Sequence, residues 1–384
     1  MSLQQRLSYK SVCTRYQTIV IKLGTSTLTH GSKKLDRAHM LEIVRVVHKL
    51  VEQHAKVILV SSGAMAAGRE LLGYPDLPKD VRYKQMLASI GQVKLIEEWA
   101  QLFSIYSLNV GQILITRADL ESRERYLNAR DTLFAQLELG IIPIINENDA
   151  VSISEIKVGD NDNLAALSAV LVEADKVILL TDQDGLYTAD PRKNKDAKLI
   201  KNVDTIDEHI IEIAGGSGTT LGTGGMATKI KAAQVATQAG VEMIIASGEN
   251  PSIILELVHG QGNATFFKPS KKPVLARKSW ISSATRALGS VTIDDGAVNA
   301  LVNKGSSLLP KGIVNVHDEF LRGATVLVKD QKGNVIARGI TRYSSDELNL
   351  IKKKSSSSIE NILGFTHGDE AIHRDDLVVI DNNK

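Results

Sequence analysis

The sequence predicts an α/β fold, a three-layer sandwich with a mainly parallel central sheet, followed by a small β-rich domain. From about residue 18 to 260, short apolar runs alternate with longer segments of helical period. This alternation is typical of parallel strands joined by crossover helices. The apolar runs are nearly unbroken, as in strands that are covered on both faces. After residue 260 the pattern changes to short strands and turns.

The strands and helices of the first part follow one another in order. Between the first two strands, Met40, Ile43 and Val47 recur at helical spacing behind Asp36, a predicted N-cap. Further helices are predicted at about 80–103, 124–138, 161–173 and 226–239. The predicted strands are 18–22, 56–61, 110–116, 141–146, 176–181 and 241–247.

The C-terminal part is predicted to be a separate domain. The segment KPSKKPVLARK has two prolines and five basic residues, and we place a linker at 271–286, between a domain at 18–270 and one at 287–380. Within the second domain, Lys332-Gly333 divides two alternating runs as a hairpin turn does. The low-complexity run at 352–358 is predicted to be an exposed loop.

Composition excludes several classes of protein. The chain has 384 residues, enough for two domains, and 46 basic against 44 acidic residues, which excludes a strongly charged nucleic-acid binder. Cys13 is the only cysteine, so no intrachain disulfide forms and a reducing, cytoplasmic compartment is expected. No apolar run approaches the roughly 18 residues of a membrane span, and residues 1–17 are a polar extension without the apolar region of a secretory signal.

Lys22 ends a predicted buried strand and is followed closely by Gly24, Thr25 and Ser26. Glycine lets the backbone approach an anion closely, and small hydroxyl side chains add hydrogen-bond donors. The loop therefore favours a phosphate site. A strand-end lysine that extends to solvent explains the same residues.

A second glycine-rich segment, GGSGTTLGTGGMATK, spans residues 215–229 and leads into the helix that begins near Met226. The first backbone N–H groups of a helix carry about half a positive charge and bind anions, and Lys229 lies one turn into this helix. The segment indicates a second phosphate contact. The alternative is a flexible loop with a surface lysine.

Amide and carboxylate side chains are dense around two strand–helix junctions. Strand ends of an open parallel sheet bind ligands, and these groups suit an ammonium, Mg²⁺ or the two lysines. Helix capping by Asp160 or Asp162 ahead of a helix starting near Leu164, with turns at the other positions, is the alternative. The residues are Asn146, Glu147, Asn148, Asp149, Asp160, Asn161 and Asp162.

Two more junctions carry weaker signals. The segment SSGAMAAG, which contains Ser62, offers amides to a carboxylate, although tight helix packing explains its glycines equally well. Thr181 and Asp182 either contact a nucleotide or build a turn. No GxxxxGK[ST] motif is present, which excludes a P-loop fold.

Seven segments in order resemble the amino acid kinase family, and most closely its glutamate-phosphorylating members: VIKLGTS, SSGAMAAGRELLGY, TRADLESRERYLNARDTL, IIPIINENDAV, EIKVGDNDNLAA, LLTDQDGLYTADPR and LGTGGMATK. The tail, with VTIDDGAVNALVNKGSSLLPKGI and RGITRYSSDEL, is similar to a PUA domain, a module often found on RNA-modifying enzymes. The resemblance covers roughly residues 18–380. It implies ATP-dependent phosphorylation of the side-chain carboxylate of L-glutamate to L-glutamyl 5-phosphate, the first step of proline biosynthesis.

The resemblance also implies roles for individual residues. Lys22 and Lys229 would neutralise charge on the transferred phosphoryl group, with Mg²⁺ bridging the phosphates, and Asp162 would organise the two lysines. No metal ligand is assigned. The glutamate contacts would be Ser62, Asp149 and Asn161, with Asn146 and Asp160 as further ones. The nucleotide contacts would be Lys22, Thr181, Asp182, Thr223, Gly224, Gly225, Met226, Ala227, Thr228 and Lys229.

Partners follow from the same resemblance. It implies feedback inhibition by proline and assembly into a homodimer or homotetramer. Contact with glutamyl phosphate reductase is a separate expectation, because an acyl phosphate hydrolyses readily in water. A kinase for aspartate or acetylglutamate is one alternative, since the lysines serve any such transfer. An RNA-binding or RNA-modifying factor that acts through the PUA-like tail is another, but residues 287–384 carry 12 basic and 13 acidic side chains, a net charge of −1.

Overall fold

The computed structural model describes residues 17–151, 161–215, 225–270 and 287–380. These residues divide into two compact units. The first contains residues 17–120 together with 129–270, and the second contains residues 121–128 together with 287–380. Among the predicted features, the extension before residue 17, the linker at 271–286 and the glycine-rich residues 216–224 lie outside the described residues.

The first unit is built on one eight-stranded sheet. Its strands are β1 (Thr18–Leu23), β2 (Lys56–Ser61), β3 (Val110–Ile115), β4 (Ile142–Glu147), β5 (Lys176–Thr181), β6 (Asn202–Val203), β7 (Glu242–Ser247) and β8 (Ala264–Phe267). They lie in the order β3-β4-β2-β1-β5-β7-β8-β6, and all neighbours are parallel except β7 and β8. The predicted α/β class and mainly parallel sheet are confirmed, while β6 and β8 are strands that the sequence pattern did not indicate.

The five helices predicted for this part of the chain are present within a few residues, and shorter helices that were not predicted accompany them. In chain order, the helices are α1 (Thr25–Thr29), α2 (Arg37–Glu52), α3 (Ala64–Leu71), α4 (Val81–Ser104), α5 (Arg117–Glu121), α6 (Arg123–Glu138), α7 (Asn161–Leu171), α8 (Glu208–Ile213), α9 (Met226–Gln238) and α10 (Ile254–Leu257). Asp36 caps α2 as predicted, because its side chain accepts a hydrogen bond from the backbone N–H of His39.

Helices cover both faces of the sheet. Ile19, Ile21 and Leu23 of β1 share one buried apolar cluster with residues of α2 and α4. Side chains alternate along a strand, so Val20 and Lys22 point to the opposite face, where α7 packs against β1 and α9 packs against α7 and β7. The continuous apolar runs are explained by this two-sided burial.

β3 departs from the prediction. Its apolar sequence indicated a strand covered on both faces, but it lies at the edge of the sheet and is only partly buried, with Leu114 37% exposed. An edge strand has one hydrogen-bonded neighbour, and the residues of a strand do not by themselves indicate whether it lies at the edge or in the centre of the sheet.

The second unit contains a five-stranded sheet in the order β10-β9-β11-β12-β13. Its elements are β9 (Gly289–Ile293), α11 (Asp295–Lys304), β10 (Ile313–His317), β11 (Thr325–Lys329), β12 (Val335–Ile340), α12 (Ser345–Ile351), α13 (Ile359–Leu363) and β13 (Leu377–Val379). The predicted hairpin is confirmed: β11 and β12 are antiparallel, and Gly333 in their turn has a φ of +89°.

The structure adds two details to the expectation for this unit. The predicted loop at 352–358 contains a short 3-10 helix, Ser356–Ser358, and Ser356 Oγ donates to the carbonyl oxygen of Asp369. The ten-residue α11 was not predicted, because only Leu301 along it is buried and its apolar face is narrow. None of the described helices is both long enough and apolar enough to span a bilayer.

Candidate active site

Most of the predicted site residues gather at the carboxyl ends of the central strands. The chain builds the sheet outward from β1, in one direction through β2 and β4 and in the other through β5 and β7. Ligands of open parallel sheets bind at such a reversal of strand order. Lys22, one residue before the end of β1, lies at this position.

Two lysines converge on one carboxylate. Lys22 Nζ lies 2.6 Å from Asp162 Oδ1, and Lys229 Nζ donates to Asp162 Oδ2 at 2.9 Å. All three residues are buried: Asp162 is 1% exposed, Lys229 5% and Lys22 8%. The alternative that Lys22 or Lys229 is an ordinary lysine extending into solvent is therefore excluded. The ammonium groups, which are 207 positions apart in the chain, are held in one place by a single acidic side chain.

Local structure explains this convergence. Alternation along β1 turns Lys22 toward the face covered by α7 and α9. Asp162 is in the first turn of α7, which begins at Asn161 rather than near Leu164, so Asp162 is not the cap of a later helix start. Lys229 lies one turn into α9. Both helices therefore bring their N-terminal turns to the end of β1.

The charge state of this cluster is set by the opposing effects of burial and the lysines. Burial alone would raise the pKa of Asp162, but the positive charges and hydrogen bonds of Lys22 and Lys229 outweigh it and hold that pKa below its ordinary value. Asp162 is therefore a permanent anion at neutral pH. Thr228 adds a hydroxyl that donates to Asp162 Oδ2 at 3.2 Å and to the carbonyl oxygen of Gly225 at 2.8 Å.

A chain of amide groups forms the neighbouring part of the site. Asn161 Nδ2 donates to Ser62 Oγ at 2.7 Å and to Asn146 Oδ1 at 3.1 Å. Asn146 Nδ2 in turn donates to Gln92 Oε1 at 2.8 Å. Ser62 directly follows β2, Asn146 lies in β4 and Asn161 opens α7, so three separate elements supply the three predicted residues. Gln92, on α4, was not predicted.

Asp149 has a different environment from Asp162. It is partly buried just beyond the end of β4, and burial raises the pKa of its carboxyl above the ordinary value. A carboxylate in such a place favours a positively charged partner, because a cation offsets the cost of removing the charge from water.

The residues predicted to contact the nucleotide that the structure describes, apart from Lys22, lie at the carboxyl end of β5 and at the start of α9. Thr181 Oγ1 donates to Asp182 Oδ1 at 3.0 Å, and Asp182 is exposed. Gly225 is the N-cap of α9, and within the described residues no side-chain cap hydrogen bond is made there, so the N–H groups at Met226 and Ala227 stand at a helix start without a cap from this part of the chain. Asp160, Thr223 and Gly224 lie outside the described residues.

Sequence reasoning missed Gln92 and the helix contact that places it. The helices α3 and α4 touch closely where Gly68 and Gly91 cross: a Cβ on Gly91 would lie 1.8 Å from the carbonyl oxygen of Ala64. Trp99, two turns after Gln92, donates its indole N–H to Ser61 Oγ at 3.0 Å. The pair Gly91-Gln92, a glycine beside a polar residue on the buried face of a long helix, is the signal in the sequence that points to this contact.

Comparison with known proteins decides the family. The profile of the amino acid kinase family matches residues 17–247, and that of the PUA domain matches residues 289–363. The chain belongs to the amino acid kinase family. It is 57% identical over 367 residues to the glutamate 5-kinase of Aliivibrio salmonicida, a match that covers 96% of this chain and 100% of the relative.

A second curated relative agrees with the first. Glutamate 5-kinase of Photobacterium profundum is 56% identical over 374 residues, covering 97% of this chain and 99% of its own. Among solved structures, carbamate kinase from Giardia lamblia bound to AMP-PNP is 19% identical, with 67% of this chain and 99% of that chain covered and a TM-score of 0.48. The resemblance inferred from the motifs and the C-terminal PUA domain are both confirmed.

Proposed function

We propose that this chain transfers the terminal phosphoryl group of ATP to the side-chain carboxylate of L-glutamate, producing L-glutamyl 5-phosphate for proline biosynthesis. The observation that carries the proposal is the convergence of two buried ammonium groups, from Lys22 and Lys229, on the buried carboxylate of Asp162. The choice of glutamate as acceptor is supported by relatives named glutamate 5-kinase that match nearly the whole chain.

The reaction needs charge neutralisation more than it needs a base. A glutamate side chain has a pKa of about 4.3, so the attacking carboxylate is already ionised at neutral pH. The obstacle is repulsion between this anion and a polyanionic triphosphate. Catalysis then depends on positioning and on fixed cations around the transferred group. Lys22 and Lys229 supply those cations.

Asp162 holds the two ammonium groups in place in this proposal. Its lowered pKa keeps it ionised, and its two oxygens face one lysine each, at 2.6 Å and 2.9 Å. With the acceptor already ionised, the step leaves no proton for this carboxylate to remove. It therefore acts as the shared counter-ion that keeps like charges together until phosphate oxygens arrive.

The nucleotide would bind across β5 and α9. The N–H groups that follow Gly225 suit phosphate oxygens, and the hydroxyl of Thr228 lies beside the lysine cluster. Thr181 and Asp182 would contact the nucleotide beyond its phosphates, and Thr223 and Gly224 complete the proposed set of contacts.

Magnesium is proposed as the companion of ATP. Within the described residues no group of three or more His, Cys, Asp or Glu side chains is arranged to hold a metal ion, and the oxygens of Asp162 face lysines. These residues therefore do not form a dedicated magnesium site. Mg²⁺ commonly keeps several waters and binds through substrate phosphates, where it reduces their negative charge.

The acceptor would lie along the amide chain. Ser62, Asn146 and Asn161, with Asp160, would contact glutamate, and Asp149 would pair with its α-ammonium. Acylation of that nitrogen removes its charge and would leave the partly buried Asp149 without a partner, at a cost of up to about 3–5 kcal/mol, the value for a fully buried pair. The proposal therefore predicts a preference for free glutamate over acetylglutamate.

The experiment that tests the function is a hydroxylamine-trapping assay with ATP, Mg²⁺ and separate acceptors. We expect turnover with L-glutamate and little with L-aspartate or N-acetyl-L-glutamate. Robust turnover of acetylglutamate without turnover of glutamate would overturn the proposed acceptor. ATP hydrolysis without any acyl phosphate would overturn the proposed reaction.

We also propose a cytoplasmic location, inhibition by proline, a homodimer or homotetramer, and contact with glutamyl phosphate reductase. The reductase contact is supported by the chemistry of the product, since an acyl phosphate hydrolyses readily in water. Inhibition assays with proline, sedimentation at several protein concentrations and co-elution with the reductase test these points.

A further inference from the structure

Gln92 of α4 lies next to the proposed glutamate pocket. The family resemblance assigns no role to this polar side chain. It is 8% exposed, and its Oε1 accepts a hydrogen bond from Asn146 Nδ2 at 2.8 Å. Its Nε2 is buried and has no hydrogen-bond partner among the described residues. Burying an amide donor without a partner is unfavourable, whereas methionine would fill a similar volume without that cost. The side chain is therefore retained for its contact with Asn146.

The direction of the hydrogen-bond chain is fixed at its centre. The backbone N–H of Glu147 can only donate, and it does so to Asn146 Oδ1 at 2.9 Å. Asn146 Oδ1 is thereby the acceptor end of that amide, and Nδ2 is the donor end. The donor end faces Gln92 Oε1. The backbone N–H of Glu147 sets this orientation of the Asn146 amide, and Gln92 Oε1 stabilises it by accepting a hydrogen bond from the donor end.

This orientation passes to the two residues proposed to contact the acceptor. Since Asn146 Oδ1 accepts, Asn161 presents its Nδ2 to it at 3.1 Å, and the same Nδ2 donates to Ser62 Oγ at 2.7 Å. The Ser62 oxygen is used as an acceptor, so its hydrogen is left to donate. Asn161 Oδ1 is the acceptor atom that remains on its amide.

We propose that Gln92 is a positioning residue, which stabilises the orientation of Asn146 set by the backbone of Glu147 and so keeps Ser62 a donor and Asn161 Oδ1 an acceptor toward the substrate. This inference rests on the proposed function. A zwitterionic amino acid needs donors for its carboxylates and acceptors for its ammonium, and the fixed orientation supplies both. An Asn161 amide turned by half a rotation would present Nδ2 where the acceptor is needed.

The scaffold holds Gln92 in this place. At the neighbouring Gly91, α3 and α4 approach so closely that a Cβ would overlap the backbone of Ala64. Two turns later Trp99 Nε1 donates to Ser61 Oγ at 3.0 Å, which ties the same face of α4 to the end of β2. The reach of Gln92 toward β4 is therefore set by packing on both sides of it.

The test combines Gln92→Met with a matched control and a double-mutant cycle. Gln101→Met changes the same residue type on an exposed position of α4. We expect Gln92→Met to raise the KM for glutamate about tenfold, the size expected for losing one buried oriented hydrogen bond. The KM for ATP should change less than twofold, and Gln101→Met should change neither constant. In an Asn146→Ala background, Gln92→Met should add little, because its effect passes through Asn146.

The outcomes separate this inference from the proposed function. If the wild-type enzyme phosphorylates glutamate but Gln92→Met has an unchanged KM for it, or if the two substitutions are additive, the inference is wrong and the function stands. If the wild type uses another amino acid, the same variants are assayed with that acceptor. If Gln92→Met fails to fold, Gln92→Leu and Gln92→Asn replace it in the kinetic assays and in crystal structures. An unchanged KM for glutamate with Asn146, Asn161 and Ser62 in their wild-type positions would refute the inference, and a raised KM with these side chains displaced would support it.

Discussion

Replacing Asp162 by asparagine removes the charge that holds Lys22 and Lys229 together while preserving the shape of the side chain. The ammonium groups lie 2.6 Å and 2.9 Å from its oxygens, and Asp162 is 1% exposed. With an effective dielectric constant of about 20, two unit charges about 3 Å apart attract by about 5 kcal/mol. Part of this attraction is offset by the cost of burying the charges.

We therefore expect Asp162→Asn to lower the free energy of unfolding by about 3–5 kcal/mol, as when one partner of a buried ion pair is removed. We also expect kcat to fall by about 100-fold or more, because the cations are no longer held in position. Urea unfolding at pH 7 measures the first quantity and the hydroxylamine assay measures the second. Saturating non-hydrolysable ATP analogue should stabilise the variant more than the wild type, since phosphate oxygens take the place of the lost carboxylate.

The control is Asp190→Asn, which removes the charge from a solvent-screened ion pair with Arg192 and should leave the free energy of unfolding nearly unchanged. Asp162 has a lowered pKa, so the stability it contributes is present above the ordinary pKa of 3.8 and is lost as the pH falls through the lowered folded-state value. A variant Asp162→Asn with wild-type stability and wild-type kcat would refute the shared counter-ion.

Three more predictions concern neighbouring parts of the structure. Asp149→Asn should raise the KM for glutamate about 100-fold or more, because the α-ammonium of glutamate loses its partner. The free energy of unfolding at neutral pH should be equal or higher, since burial raises the pKa of Asp149 and its ionised form costs stability as the pH rises. Initial-rate kinetics measures the first effect and urea unfolding measures the second. Gly91→Ala should destabilise the protein by about 3 kcal/mol, since its Cβ would lie 1.8 Å from the carbonyl oxygen of Ala64, and thermal unfolding measures this. Thr228→Val should raise the KM for ATP about fivefold by removing the hydroxyl that donates to Asp162, which initial-rate kinetics measures.

Each of these has an outcome that would contradict it. An Asp149→Asn enzyme that still prefers glutamate over acetylglutamate would exclude the ammonium contact. Val93→Ala, on the exposed side of α4, is the control for Gly91→Ala, and equal unfolding temperatures for the two variants would contradict the close helix crossing. A Thr228→Val enzyme with an unchanged KM for ATP and a raised KM for glutamate would show that Thr228 acts on glutamate binding and not on ATP binding, which contradicts the prediction.

The sequence determined the central strands and the longer helices of the first unit because their signals are local. A strand buried on both faces requires an unbroken run of apolar residues, as in β1 and β5. A helix N-terminus favours a capping residue such as Asp36 ahead of α2. The same patterns located the polar residues at strand ends, where ligands of parallel sheets bind. Motif order then indicated the family, which the full-length relatives confirm.

Tertiary structure alone decided which of these residues meet. That Lys22 and Lys229 share one carboxylate depends on strand order and on the direction of α7 and α9, which separations along the chain do not encode. The edge position of β3 and the hydrogen bond between Gln92 and Asn146 could not be predicted from the sequence for the same reason. Periodicity reports which face of an element is buried, whereas a hydrogen-bond chain across four elements depends on distances that exist only after the elements have packed.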